Sequence, residues 1–192
     1  MAWGDQVGIK TLFAKVCLAR ASSRLAGKPV ALPLAVIGKS LLVLLPSQQR
    51  DLTIIKQVLP DITRLFGEDR IYLLANPGTE VESIFPSKGF HIISPAPSSA
   101  NWLRLPSQTF LDKLKKHAFD YIFDTNLEEN LFASRILLSF PDAVRFGANG
   151  RLGHPFLNLE IKTKYSRDRH LIYASILEVI AQIVEPVPAD AS

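Results

Sequence analysis

The stretch FDYIFDTNLEEN, residues 119–130, runs an apolar segment into Asp124 and breaks at Thr125-Asn126. An aspartate at a strand end is where phosphoacceptor chemistry is placed, but that chemistry also needs an acidic pair after the first strand to hold a magnesium ion. PSQQRD, residues 46–51, supplies a single acid. The same six residues carry neither G-x-G-x-x-G nor G-x-x-x-x-G-K-[ST], whose glycines let backbone N–H groups approach phosphate. No dinucleotide or P-loop triphosphate is therefore expected. A G-x-S-x-G nucleophile elbow is also missing from the sequence, which removes the usual hydrolase reading. His91, His117, His154, His170 and the single Cys17 do not fall at metal-ligand spacing, so neither metal nor cofactor is expected. RFGANGRLGHP places Arg145, Arg151 and His154 in a glycine-rich segment. Two readings of it stand: a basic anion site, or a surface loop with solvated charge.

The elements that would position these residues are legible in the hydrophobic pattern. SLLVLLP is an unbroken apolar run, as a strand buried on both faces requires. RDLTIIKQVLPDITRLF then spaces Leu52, Ile55, Val58, Leu59, Ile62, Leu65 and Phe66 helically, with Pro60 kinking the helix or starting a second one. RIYLLAN and FHIIS are further strands, separated by a turn or two of helix in TEVESIF. PAPSSANWLRLP is a loop, and Ser107 can cap the helix bearing Phe110, Leu111, Leu114 and Ala118. FDYIFDT is a fourth strand; Asn126 is expected to cap the following helix, with Glu129 completing a capping box. AVRFG and LNLEIK read as fifth and sixth strands, and Ser166 as the cap of a last helix whose Leu171, Ile172, Ile176, Val179, Ile180 and Ile183 face inward.

Alternating strands and helices with short connections predict an α/β fold: one Rossmann-like, doubly wound, mainly parallel sheet of five or six strands with helices on both faces, SLLVLLP and FDYIFD central. Ligands of such sheets bind beyond the C-terminal strand ends, which draws attention to residues 46–51, 76–79, 95–101, 124–126 and 147–154.

With 192 residues, 47% apolar, the chain has enough for one core and too few for two. The expected division is a basic, partly helical extension over 1–38, the Rossmann-like domain over 39–184 and a disordered tail over 185–192. Charge is uneven: Lys10, Lys15, Arg20, Arg24, Lys28, Lys39 and Arg50 face Asp5 alone in the first 50 residues, while the whole chain is +4. VGIKTLFAKVC puts Ile9, Leu12, Phe13 and Val16 on one helical face. That face either docks on the domain or, with Lys10, Lys15, Arg20, Arg24 and Lys28, meets a partner or an anionic membrane. No bilayer-spanning run is present, because Gly38-Lys39-Ser40 splits the longest apolar stretch. No signal peptide is expected, since Lys10 and Lys15 interrupt the N-terminal apolar segment. The expected location is cytoplasmic, with peripheral contact at the inner membrane left open.

LLVLLPSQQRD, FDYIFDTNLEEN, AVRFG and RHLIYASILEVI, in that order and spacing, resemble the N-terminal, acceptor-side half of the bacterial ADP-heptose lipopolysaccharide heptosyltransferases and their relatives in glycosyltransferase family 9. The resemblance covers roughly residues 39–184. It implies a catalytic base at Asp51, whose alternative role is a helix cap or first-turn acid. It also implies a sugar pocket lined by Asp124 and Asn126, whose alternative role is strand termination and capping, and a His-initiated helix at His170. Arg50 stands where the family's turn has glycine, and Thr125, Asn126 and Leu127 stand where it has Leu-Gln-Gly. The donor-binding domain is expected to lie outside this chain. The resulting expectation is a stand-alone, non-catalytic binding or assembly module with a protein partner or as a homo-oligomer, and without specific nucleic acid. The alternative is a heptosyltransferase-like enzyme of cell-envelope polysaccharide synthesis, completed by a second chain that carries the donor domain.

Overall fold

The computed structural model describes residues 4–23, 30–85, 88–150 and 155–184, with no side-chain description before Lys10. Six strands, β1 (Leu41–Leu44), β2 (Ile71–Leu74), β3 (His91–Ile93), β4 (Tyr121–Asp124), β5 (Val144–Ala148) and β6 (Leu159–Ile161), form one sheet in the order β3-β2-β1-β4-β5-β6. Every pairing is parallel. β1 and β4 are central and wholly buried, because a strand covered on both faces can be apolar at every position. The chain winds outward from β1 to β3, returns to β4 beside β1, and winds outward the other way. The crevice between β1 and β4 is therefore the topological switch point.

Alternate residues feed two cores. Leu41, Val43, Tyr121 and Phe123 meet α2 (Gln49–Phe66) and α5 (Arg169–Ile183) on one face. Leu42, Leu44 and Ile122 meet α3 (Gln108–Leu114) and α4 (Leu131–Ser139) on the other. β4 and β5 are drawn close at Gly147, where a Cβ would lie 2.9 Å from the Asp124 carbonyl oxygen, nearer than real Cβ atoms come, so only glycine fits without a shift.

Several local expectations are corrected by the backbone. α2 runs unbroken through Pro60, so the proline neither stops it nor starts a second helix. TEVESIF gives turns at 82–84 rather than a helix. Asn126 does not cap α4; Asn130 does, accepting from the Ala133 N–H at 3.0 Å. Asp168, not Ser166, caps α5 by accepting from the Leu171 N–H. In both cases the chain takes extra loop residues before turning helical, and the polar side chain nearest the actual helix start makes the cap. Ser107 caps α3 as its sequence position predicts.

Residues ahead of β1 contribute to the packing. Leu34 and Val36 are buried in the α2–α5 core. Helix α1 (Gly4–Ser22) packs on α4, burying Ala14 and Leu18 against Leu103, Leu105 and Leu138.

Candidate functional site

Beyond the C-terminal end of β1 the chain passes through buried Leu45-Pro46, reaches exposed Ser47-Gln48 and enters α2. Asp51 lies in the first turn of α2 and is 2% exposed. Arg169, in the first turn of α5, reaches across because α2 and α5 lie side by side on the same sheet face. One of its terminal nitrogens donates to Asp51 Oδ2 and the other to Glu128 Oε1 at 2.6 Å. The second Glu128 oxygen accepts from Gln48 Nε2 at 2.8 Å. This network ties together the loop after β1, the loop after β4 and the start of α5. The Glu128 hydrogen bond first, and the charge of Asp51 with it, hold the Arg169 guanidinium above its ordinary pKa. Asp51 Oδ1 is buried with no hydrogen-bond partner, so the carboxyl group is paired through one oxygen and unsatisfied at the other.

A second chain of hydrogen bonds lies on the opposite side of the crevice. Asp124 Oδ1 accepts from the Asn126 backbone N–H at 3.1 Å and from Asn126 Nδ2 at 2.7 Å. Asn130 Nδ2 donates to Asn126 Oδ1 and to Asn76 Oδ1, and Asn76 Nδ2 donates to the Leu45 carbonyl. Thr125 donates to the Leu44 carbonyl at 2.7 Å, and Tyr173 in α5 donates to the Thr125 carbonyl at 2.7 Å. Thr125-Asn126 is thus a fully hydrogen-bonded corner in which the asparagine amides are largely spent on one another. Burial pushes the Asp124 carboxyl up to about 6, and the two Asn126 hydrogen bonds only partly oppose that rise.

Two clefts flank the loop at 101–106: one of about 440 Å³ against α1, and one of about 540 Å³ beside this ladder. The larger one, 540 Å³, has Ser47, Asn76, Thr79, Asn101, Arg104, Glu129 and Asn130 as its polar lining. Hydroxyl, amide and guanidinium groups against an apolar floor at Leu131 and Phe132 suit a polar, hydroxylated ligand. Asp51 and Asp124 are not among its lining residues.

The other residues singled out in the sequence do not converge here. Arg145 is corrected from a surface anion ligand to a core residue: it is 1% exposed, and its Nη1 donates to the Leu137 carbonyl at 3.1 Å, near the C-terminal end of α4. The negative end of that helix supports a buried guanidinium, while burial lowers its pKa. Arg151 and His154 lie outside the described residues, as do Arg24 and Lys28. His170 is exposed on the first turn of α5 beside Arg169. Lys10 and Arg20 are exposed on α1, and Lys15 pairs with Glu129 at 2.9 Å. Gln48, Glu128, Arg169, Asn76 and Asn130 join the site only in the structure. Asn76 and Gln48 fall at strand ends, a signal that marks them, whereas nothing local marks Arg169. Among the described residues no group of three or more His, Cys, Asp or Glu is arranged to hold a metal ion.

The sheet order, the switch point and the helices on both faces define an open, Rossmann-like α/β fold. Comparison with solved structures finds the same fold in the E. coli heptosyltransferase WaaC with ADP, at a TM-score of 0.57 and 14% identity, covering 78% of this chain and 49% of that one. The chain therefore spans about half the length of that enzyme. No protein-family model matches the chain, and no curated protein sequence does. No helix among the described residues is long and apolar enough to cross a membrane.

Proposed function

We propose that this chain is a binding or assembly module built on the glycosyltransferase-like fold, and that it does not itself transfer sugar. The observation that carries the reading is the state of Asp51. A general base must come within hydrogen-bond reach of the hydroxyl it deprotonates, and this carboxylate is closed to solvent and held by Arg169 under the Glu128–Gln48 bridge. The position that the family resemblance gives to catalysis is here used to join α2 to α5. The cleft of Ser47, Thr79, Asn101 and Arg104 is the surface offered to a ligand or partner.

A second reading is favoured by one specific feature, the unpartnered Oδ1 of Asp51. If a second chain carrying a donor domain drew Arg169 away, that carboxylate would become the base of a completed heptosyltransferase-like enzyme. The fold likeness to WaaC, with its bound ADP, supports this alternative.

Calorimetry with ADP and an ADP-sugar, and a transfer assay on purified protein, separate the two. The wild type is expected to show no micromolar nucleotide binding and no turnover. Asp51→Ala is expected to change stability alone, by about 1–3 kcal/mol, since Arg169 keeps Glu128. Micromolar binding, or turnover that Asp51→Ala abolishes, would overturn the non-catalytic reading.

A further inference from the structure

Helix α1 carries two apolar stripes on opposite sides. The narrow one, Ala14 and Leu18 with Ala21, packs on Leu103, Leu105 and Leu138, where the small alanines allow close approach. The broader one points the other way: Leu12 is 63% exposed, Phe13 55% and Val16 44%. A docked helix normally buries its bulkier stripe, and large apolar side chains grouped on a surface mark an interaction site. On the adjoining loop Trp102 is 66% exposed. Its neighbours Asn101 and Leu103 line a cavity together with Cys17 and Arg20 of α1, so the loop that carries this tryptophan lies against the helix.

We infer that the outward stripe of α1, together with Trp102, docks on an anionic lipid bilayer. The charge around it selects the occupant. Lys10 and Arg20 are exposed beside the stripe, α1 itself has no acid from Lys10 onward, and Glu129 of the neighbouring loop is taken up by Lys15. A second copy of the chain, packed two-fold through this face, would set these cations against themselves. Anionic headgroups instead neutralise them while the acyl boundary takes Leu12, Phe13 and Val16, and an indole suits the headgroup level. The inference stands on α1 and does not depend on the reading of Asp51.

The test is cosedimentation with phosphatidylcholine vesicles, with and without phosphatidylglycerol, at low and high salt. A Trp3→Phe background leaves Trp102 as the sole tryptophan. Wild type should bind the anionic vesicles, release in high salt, and shift Trp102 emission to the blue. Phe13→Ser with Val16→Ser should weaken binding by roughly tenfold or more, at an unchanged melting temperature because both side chains are already exposed. Lys10→Gln with Arg20→Gln should weaken it by about 25-fold, at about fivefold per charge removed near the surface. These charge variants keep the test valid if the serine variant fails to fold. The inference is overturned if wild type ignores anionic vesicles, if both double variants bind as wild type does, or if sedimentation shows self-association through this face without vesicle binding.

Discussion

Two aspartates four residues apart, Asp120 just ahead of β4 and Asp124 at its C-terminal end, sit in opposite electrostatic surroundings. At the N-terminal end, burial alone would raise the Asp120 carboxyl. The Ser40 backbone N–H at 2.9 Å, the Ser40 hydroxyl and Lys39 at 3.1 Å outweigh that and hold it below the usual aspartate value. At the C-terminal end, burial takes Asp124 up to about 6 against only the two hydrogen bonds from Asn126. The same contrast extends to the rest of each edge. Lys39, Ser40 and Asp120 stitch β1 to β4 with every group matched, whereas the opposite edge keeps Asp51 Oδ1 buried and unpartnered. Side chains at the N-terminal edge serve the fold. Asp51 and Asp124 at the C-terminal edge carry a stability cost, and in open α/β sheets that is the edge where ligands bind.

The largest test of that contrast is Arg169→Ala. It leaves the Asp51 carboxylate buried without its cation, and about 2–4 kcal/mol of unfolding free energy should be lost in urea denaturation at pH 7. The figure is set below that for a fully buried pair because Arg169 is 20% exposed. A loss under about 0.5 kcal/mol would mean that the pair is a surface interaction, and the edges would no longer differ in kind.

Asp124→Asn should act in the opposite direction. The fold favours the protonated acid, so the cost of ionising it is absent below the ordinary value of 3.8 and complete above about 6. Stability therefore falls as pH rises through that window. An asparagine cannot ionise, so the variant should be more stable than wild type by about 1–3 kcal/mol at pH 7.5, with the two converging near pH 4. Equal pH profiles would show that Asp124 pays no such cost.

The smallest effect belongs to Asp120→Asn. The lowered pKa means that the stabilisation is present above the ordinary aspartate value and disappears as pH falls through the lower folded one. Because the side chain is 39% exposed and screened by solvent, the variant should lose only about 0.5–1.5 kcal/mol at pH 7. Opposite signs for Asp120→Asn and Asp124→Asn are the signature of the comparison, and the same sign for both would remove it.

The sheet was readable from the sequence because strands buried on two faces leave no alternative to continuous apolar runs. SLLVLLP and FDYIFD therefore announced both their state and their central place. The position of Asp51 at a strand-to-helix corner was equally local. Its partner was not: Arg169 is 118 residues away, and only the packing of α2 beside α5 makes the two meet. Arg145 shows the same limit in reverse. A glycine-rich neighbourhood suggested a surface, but strand alternation placed the side chain inward, under the end of α4. Helix α1 separates the two kinds of information most plainly. Periodicity was enough to group Leu12, Phe13 and Val16 on one face, because 3.6 residues per turn is a property of the chain itself. Which face docks depended on Leu103, Leu105 and Leu138, drawn from a distant loop and from α4. Their shape accepts the small side of the helix, and that complementarity does not exist until the tertiary structure does.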